Sequence, residues 1–416
     1  MNYFLQIILC FFIASFCLQS CNAQLKSYFI TSQDTELKKK EDDLIARSSP
    51  INRRSYYAID YAPDTNYINH TPVKYVRLNI HWMNTSDSTQ NLSEAEAIEF
   101  SKEMVKASNY NLAHNQKMYL PVGNDTPVLP LRIRFVLTPS PHIPDDDGIH
   151  FHYDDEHYSF ISKGRDRNMH KRNVFKKYGI QIDTVLNIFM MTHHRDSLQS
   201  PTYNAYDSGI ALGRAVKIVD VYDNPKVVCL NLNHEIGHIL GLSHAWGNDG
   251  CDDTPKHDQK CSYRSAPGCE NNTSNNVMDY NIYLKAWTPC QIGKMHANLT
   301  RIKRRQRKFL EPRWCELDEQ RHIYIRDSIV WKGEKDLEGP LTIESGATLR
   351  IQKRVSMPPG SKILIKAGGT LILEEALLHN ACEEEWEGIE VQELNGKKGR
   401  LVQIGKCTVQ NTVHPF

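Results

Sequence analysis

The sequence lacks an excess of charge of either sign. It has 50 Lys and Arg residues against 49 Asp and Glu residues, which gives a formal net charge of +1. A nucleic acid is therefore not indicated as a partner, because a polyanion is usually bound by a strongly basic surface. The densest basic run, residues 301–308, follows a helical-looking segment, and we expect it to form a solvated helix face.

Long apolar runs are absent after residue 18, so no later segment predicts a membrane span. Residues 1–18 are almost wholly apolar and the first lysine is Lys26, which predicts an export signal over residues 1–23. Cleavage after Ala23 would leave Gln24 first, whereas the string Leu18-Gln19-Ser20-Cys21 resembles a lipoprotein box that would place a lipid on Cys21. An uncleaved anchor is the third alternative. The sequence thus predicts a secreted or cell-surface protein, with a lipid anchor at Cys21 as its one membrane contact if it is an outer-membrane lipoprotein.

Cysteine is absent between Gln24 and Val228. Of the eleven cysteines, three lie in the export segment, and the other eight predict disulfides in an exported protein without fixing their pairing. Four lie in a stretch rich in Gly, Asp and Asn, and these are Cys251, Cys261, Cys269 and Cys290. We expect two disulfides there, because such a loop has little apolar core of its own.

One stretch combines three imidazoles, a carboxylate and a glycine at fixed spacing, His234-Glu235-Ile236-Gly237-His238-Ile239-Leu240-Gly241-Leu242-Ser243-His244. Residues four apart share a helix face, so His234 and His238 can offer ring nitrogens to one ion. Gly241 permits a turn that returns His244 as a third ligand. Three neutral imidazoles suit a Zn²⁺ cofactor and leave a fourth position for water, whose proton Glu235 is placed to take. A structural zinc is disfavoured because such sites close with four ligands.

Hydrophobic periodicity around this stretch predicts a mixed twisted sheet with helices packed on it, over residues 71–312. Strands are predicted at 73–83, 131–137, 184–192 and 209–222, and Ser93 with Glu96 forms a capping box before a helix. Residues 24–70 are polar without clear periodicity, which indicates a linker or short pro-segment. The fold class is therefore α+β for this part of the chain.

Two further histidine pairs carry no metal prediction. His150 and His152 lack a third ligand at diagnostic spacing, and we expect an exposed strand edge there. His193 and His194 are adjacent, so on a strand they would point to opposite faces.

Residues beyond the histidines carry a family resemblance, in the strings Asp253-Thr254-Pro255, Asn276-Val277-Met278-Asp279-Tyr280 and Trp287-Thr288-Pro289. Together with the histidine spacing they make the chain resemble the metzincin metallopeptidases, and within them the pappalysin-like family of the cytophagalysin and ulilysin type. The resemblance implies a zincin-like catalytic domain. It also implies that Met278, at 278 − 244 = 34 residues after His244, underlies the three histidines in a tight turn. Tyr280 would approach the metal and stabilise the transition state.

Some family features are absent or changed. Residues 281–286 contain no cysteine, and they carry Lys285 where some members use an acid to hold a basic substrate side chain, so that preference is not implied here. No cysteine that masks zinc in a proenzyme can come from residues 24–228. The family resemblance also implies Ca²⁺ as a further cofactor beside Zn²⁺, with Asp252, Asp253 and Asp279 as oxygen donors, although no spaced calcium loop is present.

The sequence pattern changes after residue 312, where a repeat begins to appear. Residues 341–351 (LTIESGATLRI) are echoed by residues 363–373 (ILIKAGGTLIL), an offset of 363 − 341 = 22. Short strands joined by Gly turns at this period predict coils of a partial parallel β-helix in an all-β C-terminal domain, residues 313–416. Segments from Trp386 and from Leu401 are predicted as two further coils, with no evident cap after the last. A β-sandwich is the alternative.

Two function classes follow. The first is an exported zinc endopeptidase that hydrolyses protein or peptide substrates, with Glu235 as general base and then acid and Tyr280 as oxyanion donor. The second is a surface binding or structural protein, with a glycan- or protein-binding β-helix, whose peptidase module has lost activity. The first class is favoured, because the chain retains Glu235, the three histidines, Met278 and Tyr280.

Overall fold

The structure is a computed structural model that describes residues 25–38, 57–203, 208–219, 224–257 and 260–416. The predicted export signal, with Cys21, lies outside these residues. Within the described ranges, no helix is both long enough and apolar enough to cross a membrane.

The secondary structure divides into an N-terminal part with helices and a C-terminal part made of short strands. The helices are α1 (Glu94–Ala113), α2 (Asn173–Tyr178), α3 (Arg195–Leu198), α4 (Pro225–Ile239) and α5 (Pro289–Thr300). The strands up to α4 are β1 (Lys26–Phe29), β2 (Glu36–Lys38), β3 (Lys74–Asn84), β4 (Ile133–Leu137), β5 (Ile149–Tyr153), β6 (Ser159–Phe160), β7 (Leu186–Met190), β8 (Thr192–His193), β9 (Gly209–Ala211) and β10 (Ala215–Ile218). The later strands are β11 (Ile323–Ile325), β12 (Ser328–Trp331), β13 (Lys335–Asp336), β14 (Leu341–Ile343), β15 (Thr348–Ile351), β16 (Arg354–Ser356), β17 (Lys362–Ile365), β18 (Thr370–Glu374), β19 (Leu377–His379), β20 (Gly388–Leu394), β21 (Lys397–Lys398), β22 (Arg400–Ile404) and β23 (Thr408–Val409).

A mixed sheet forms the frame of the N-terminal part, as predicted. Its order is β4-β3-β7-β10-β9, and β5 also pairs with β3. All pairs are parallel except β9 with β10, which is antiparallel. The alternating side chains Val76, Leu78, Ile80 and Trp82 of β3 are buried in one cluster with residues of α1 and α4. The sheet therefore fixes α4, which carries the histidines, against its face.

Helix starts in this part agree with their local sequence signals. The capping box of Ser93 and Glu96 is present at the start of α1. Helix α4 begins at Pro225, and the side chain of Asn224 accepts a hydrogen bond from the N–H of Lys226. Because proline lacks an N–H and has a helical φ, it suits the first position of a helix.

The predicted strand over residues 209–222 is wrong in one respect. Strands β9 and β10 occupy part of it as an antiparallel pair, with Gly213 between them at φ +87°. A left-handed backbone of this kind favours glycine and lets the chain reverse. The reversal leaves β9 at the edge of the sheet.

The C-terminal strands stack as coils with three sides. Strands β11, β14, β17 and β20 form one parallel series, β12, β15, β18 and β22 a second, and β13, β16, β19 and β23 a third. Leu341 pairs with Ile363 and Leu349 with Leu371, which is the 22-residue offset of the sequence. The two predicted coils after Trp386 are one coil, because β20 and β22 belong to different sides of the stack.

Residues 26–38, within the segment predicted as a linker or short pro-segment, contain two strands. Strand β1 pairs antiparallel with β20, and β2 pairs parallel with β22. Arg400 and Glu36 form a salt bridge at this junction, at 2.7 Å. The N-terminal segment therefore extends two sides of the last coil, which a local sequence pattern does not reveal.

The basic run at 301–308 is largely exposed, as predicted, but it follows helix α5 and is not part of it. Helix α5 ends at Thr300, before the run. The guanidinium of Arg307 lies in the contact between the two parts of the chain, where it pairs with the carboxylate of Asp336 and donates to the carbonyl of Thr300 at 3.0 Å. Burial of this cation is offset by the ion pair, which is why the run does not face solvent throughout.

Three disulfides are present in the described residues, and they are Cys251–Cys290, Cys261–Cys269 and Cys315–Cys382. The first two confirm the prediction of two disulfides in the loop after the histidines. The first also ties that loop to the first turn of α5, and the third connects the start of the C-terminal part to its later coils.

Candidate metal centre

The three predicted ligands converge. The Nε2 atom of His238 lies 3.2 Å from Nε2 of His234 and 3.1 Å from Nε2 of His244. His234 and His238 are one turn apart on α4. The helix ends at Ile239, and Gly241 at φ +97° lets the chain turn so that His244 returns to the other two.

The other ring nitrogens define the protonation state of two of these histidines. Nδ1 of His234 lies 2.6 Å from the carbonyl of Val277, and Nδ1 of His238 lies 3.0 Å from the carbonyl of Leu242. A carbonyl only accepts, so each Nδ1 carries the proton and each Nε2 presents a lone pair. Burial lowers the pKa of His234 to about 3 and that of His244 to about 4, which keeps the rings neutral.

The arrangement of these Nε2 lone pairs is suited to a metal ion. Two unprotonated Nε2 atoms at 3.2 Å repel each other and cannot share a hydrogen bond. A cation between them removes the repulsion, and three neutral imidazoles are a preferred ligand set for zinc. Carbonyls that orient ligating rings through Nδ1 are the usual outer support of such sites. The residues present therefore fit Zn²⁺.

Met278 forms the floor of the site, as the resemblance implied. It is fully buried, and its carbonyl accepts the N–H of Ala245 just after the third histidine, at 2.8 Å. The thioether packs against the backbone of Gly237 between the first two ligands. A Cβ at Gly237 would overlap Sδ of Met278 and lie 3.2 Å from the ring of Trp287. Glycine at this position thus lets the methionine approach the helix.

Glu235 lies on the side of α4 that faces the edge strand β9. A Cβ at Gly209 of this strand would lie 3.1 Å from Cγ of Glu235, and the N–H of Ala211 donates to the Glu235 carboxylate. The side chain is 8% exposed. Burial raises the pKa of Glu235 to about 7, against the lowering effect of the Ala211 bond. The carboxyl group is therefore balanced between its acid and base forms near neutral pH.

Tyr280 lies at the mouth of the site. Its ring centroid is 4.9 Å from that of His244 and 6.1 Å from that of His234, and the residue is 53% exposed. Trp246 stacks on His244 with centroids 4.1 Å apart and also contacts the Tyr280 ring at 4.4 Å. The tyrosine is thus near the histidines and accessible to a ligand.

The acids offered as calcium ligands do not form a site. Among the described residues, the second group close enough to hold an ion is Cys251, Asp253 and Cys290, and its two cysteines are joined as a disulfide. Asp279 is instead paired with His257. Calcium therefore has no support here.

Strand β5, which carries His150 and His152, lies at the edge of the sheet as predicted, but its two histidine side chains are half-buried, because both rings pack on the buried His81. The side chain of His150 is 9% exposed, and Nε2 of His152 lies 2.9 Å from Nδ1 of His81. His193 is buried in β8 and His194 caps α3.

Several contributors to the site carry no strong sequence signal. The edge strand with Gly209 and Ala211 is short, and the carbonyls of Val277 and Leu242 act through the backbone, which any residue type supplies. Trp246, two residues after His244, was the one detectable signal, as an aromatic residue directly beyond the ligands.

A metzincin-type peptidase is the class that this fold and centre define, because the helix, its glycine turn and the buried methionine follow one another around the three ligands as in that class. Residues 213–300 match the family Peptidase M43, described as pregnancy-associated plasma protein-A. This region carries the three histidines, Glu235, Met278 and Tyr280, and it is similar to the pappalysin-like metzincin peptidases.

Solved structures that are similar to this chain include a complex of mirolysin with compound 9, which is 19% identical, covers 57% of this chain and 96% of that chain, and gives a TM-score of 0.40. Mature mirolysin from Tannerella forsythia with a cleaved peptide is 18% identical, with 57% and 95% covered and a TM-score of 0.37. A promirolysin mutant from Tannerella forsythia is 16% identical, with 66% and 96% covered and a TM-score of 0.39. No curated protein matches the chain.

Proposed function

We propose that this protein is an exported, zinc-dependent endopeptidase that hydrolyses peptide bonds of extracellular proteins. The observation that carries the proposal is the meeting of two unprotonated Nε2 atoms at 3.2 Å, since only a cation makes that contact favourable. His234, His238 and His244 would hold the zinc ion.

When bound, zinc would supply Lewis-acid chemistry, by withdrawing electron density from the scissile carbonyl and lowering the pKa of water. Glu235 takes a proton from the attacking water and later gives it to the leaving amine. Its buried carboxylate, next to the first histidine, is placed to make both transfers. Tyr280 donates its hydroxyl proton in a hydrogen bond to the oxyanion that develops on the carbonyl.

The edge strand β9 provides a place for an extended substrate. The N–H of Leu212 bonds to the carbonyl of Ala215, and the N–H of Val219 bonds to the carbonyl of Ser208. Because hydrogen-bonded pairs alternate in an antiparallel ladder, the backbone groups of Gly209 and Ala211 point away from β10. The N–H of Ala211 already bonds to Glu235. The carbonyl of Ala211 and the backbone groups of Gly209 can pair with a peptide backbone laid beside Glu235, which supports a peptide as the substrate.

The test is digestion of casein by purified protein that starts near Gln24. We expect activity that a chelator abolishes and added zinc restores. Glu235→Ala should keep zinc by elemental analysis and lose about 100- to 10,000-fold in kcat/KM. Glu103→Ala, on the exposed surface of α1, is the matched control and should keep full activity. Equal digestion by the Glu235 variant and the wild type would overturn the proposal.

Tyr280→Phe separates the oxyanion role from a packing role. It keeps the ring that contacts His244 and Trp246 and removes only the hydroxyl. Loss of one oxyanion donor should lower kcat by about 100- to 1,000-fold with little change in KM. An unchanged kcat would remove Tyr280 from the reaction.

We also infer that the coiled C-terminal part is a parallel β-helix and a separate domain that begins near residue 313. Support comes from two distinct apolar clusters, one around the mixed sheet and one inside the coils. Export, through a signal over residues 1–23, stays a prediction. Detection of the protein in culture medium or on the cell surface, with a Cys21→Ser variant to test lipidation, would decide it.

A further inference from the structure

A cavity of about 260 Å³ lies on the opposite side of the mixed sheet from α4. It opens near the carboxyl ends of β5, β7 and β10, a location where open sheets with parallel strands often bind ligands. Its buried base includes Ser159, Val174, Met191 and Lys217. The catalytic proposal uses none of these side chains.

Lys217 is the unusual group in this base. Its side chain is on the face of β10 that carries Ala215 and Val219, and the residue is only 2% exposed. The ammonium donates one hydrogen bond, to the backbone carbonyl of Asn168 at 2.8 Å. It forms no ion pair with a carboxylate of the described residues. A buried ammonium has three donors and is costly unless it is paired, so two of its donors remain for a ligand in the cavity.

The groups around Lys217 also favour the binding of an anion beside its ammonium. Its Nζ lies 5.8 Å from the ring of Phe175, which offers only a weak attraction. Lys171, also on the cavity wall, adds a second positive charge. Burial, together with the smaller effect of the Lys171 charge, lowers the pKa of Lys217 to about 8. The ammonium nevertheless stays mostly protonated at neutral pH.

The rim of the cavity restricts the charge of the ligand. Asp155, Glu156 and Asp166 line it as exposed residues, whereas the cationic group is at the base. These carboxylates would repel a dianion more strongly than a monoanion. The volume is somewhat below the roughly 300 Å³ at which pockets for drug-sized ligands begin. A small ligand with one carboxylate satisfies both limits.

We propose that this cavity is a binding site for a small monocarboxylate, whose carboxylate group accepts hydrogen bonds from the Lys217 ammonium at the base. An amino acid or a short peptide with a free carboxylate is the class of natural ligand. Lys171 contributes charge at the wall, and Asn168 holds Lys217 in place. The side chain of Asn168 is itself fixed, because it accepts the N–H of Ile161 and donates to the carbonyl of Ser159.

The test uses acetate as the probe, on the full-length zinc-loaded protein. Isothermal calorimetry or carbon-13 acetate NMR should give saturable binding to the wild type. Lys217→Met, which keeps the length and the apolar stem, should weaken acetate binding by about 10- to 100-fold, as expected for loss of hydrogen bonds to a charged group. Acetate that binds at the three histidines is common to both proteins, so the difference isolates the cavity. Lys226→Met, at the exposed start of α4, is the control and should bind as the wild type does.

Sulfate, a dianion, tests the class of ligand, and it should bind more weakly than acetate. Sulfate binding as tight as that of acetate would overturn the monocarboxylate assignment, and coincident acetate isotherms for wild type and Lys217→Met would overturn the site. If Lys217→Met does not fold, the Lys217 pKa of the wild type decides the matter. A bound carboxylate favours the charged ammonium, so acetate should raise this pKa in an NMR titration, and an unchanged pKa contradicts the proposal.

Discussion

The side-chain amide of Asn298 in α5 donates a hydrogen bond of 2.8 Å to the carbonyl of Leu240, the residue that caps the C-terminal end of helix α4. A Cβ on the next residue, Gly241, would overlap the same amide. Asn298 thus satisfies a carbonyl that the helix leaves without a partner and packs against the turn that returns His244. The position of the third ligand depends on a residue 54 positions further along, at 298 − 244 = 54.

Replacement of this side chain should loosen the turn. We expect Asn298→Ala to lower the free energy of unfolding of the zinc-loaded protein by about 1–3 kcal/mol, because the Leu240 carbonyl loses its partner. Zinc affinity should fall as well, in competition with a chromogenic chelator. Asn272→Ala is the control, since that amide also bonds a carbonyl but is exposed. Equal losses in both variants would argue against a special role for Asn298.

Gly237→Ala should displace the floor of the metal centre. Alanine improves helix propensity by up to about 1 kcal/mol, whereas overpacking against the buried Met278 costs about 1–3 kcal/mol, so the net effect should be destabilising. Zinc should also bind more weakly, because Met278 must move. Denaturant unfolding and zinc competition measure the two effects. Gly247→Ala, where a Cβ meets only the His244 carbonyl at 3.5 Å, should be close to neutral.

Asp336 should be essential to the contact between the two parts of the chain. Burial would raise the pKa of this carboxyl, but Arg354, Arg307 and Lys74 outweigh that effect and hold the pKa well below its usual value. Asp336→Asn leaves the buried guanidinium of Arg307 without its anion and leaves Arg354 with Glu334 alone, and it should cost about 3–5 kcal/mol in the free energy of unfolding. The exposed pair of Glu311 and Arg313 provides a control, because Glu311→Gln should cost at most about 1 kcal/mol. A small effect of Asp336→Asn would show that the network is not needed for stability.

Acid should destabilise the protein partly through the histidines on the back of the sheet. Nε2 of His81 lies 3.0 Å from Oδ1 of Asn79 and 3.1 Å from Oδ1 of Asn187, so this nitrogen donates and Nδ1 accepts from His152. Burial lowers the pKa of His81 well below 6.5 and that of His152 to about 4. Between the folded value and an unfolded value of about 6.5, the unfolded chain binds more protons. The contribution of these neutral histidines to the free energy of unfolding is therefore fully present above pH about 6.5, and it decreases as the pH falls toward about 4.

The measurement is the free energy of unfolding as a function of pH for His152→Gln, whose amide can still donate to His81. Between pH about 4 and 6.5, the free energy of unfolding of His152→Gln should change less steeply with pH than that of the wild type. The difference in slope should be up to about 1.4 kcal/mol per pH unit, the value for one proton. His142→Gln, an exposed substitution, should keep the wild-type slope. Identical slopes in all three proteins would contradict the assignment.

The metal centre was predictable because its information is local. The spacing from His234 to His244 gives the helix face, the turn and the ligand set within eleven residues, counted as 244 − 234 + 1 = 11. Met278 and Tyr280 followed from a family resemblance, and the family match over residues 213–300 agrees with it. The 22-residue offset likewise appears as the register of Leu341 with Ile363, because a coil repeats at a fixed interval.

Other features were not predictable because they depend on residues that are distant in sequence. The polar segment of β1 and β2 forms strands only where β20 and β22 offer an edge. Arg307 is buried because Asp336 and the Thr300 carbonyl meet it, and composition predicted a solvated residue. The hairpin at Gly213 was missed because apolar residues on either side of a turn read as one continuous strand.

The pairing of β1 with β20 has a consequence for how the chain is made. Lys26 lies opposite Glu393, at 393 − 26 = 367 residues along the sequence. During synthesis β1 and β2 are made long before their partner strands β20 and β22. Contacts between segments so far apart in sequence form slowly. Closure of the last coil is therefore a late event in biogenesis. Once formed, it fastens the early and late segments of the enzyme to each other, so that a single nick in the peptidase part would leave the two fragments attached.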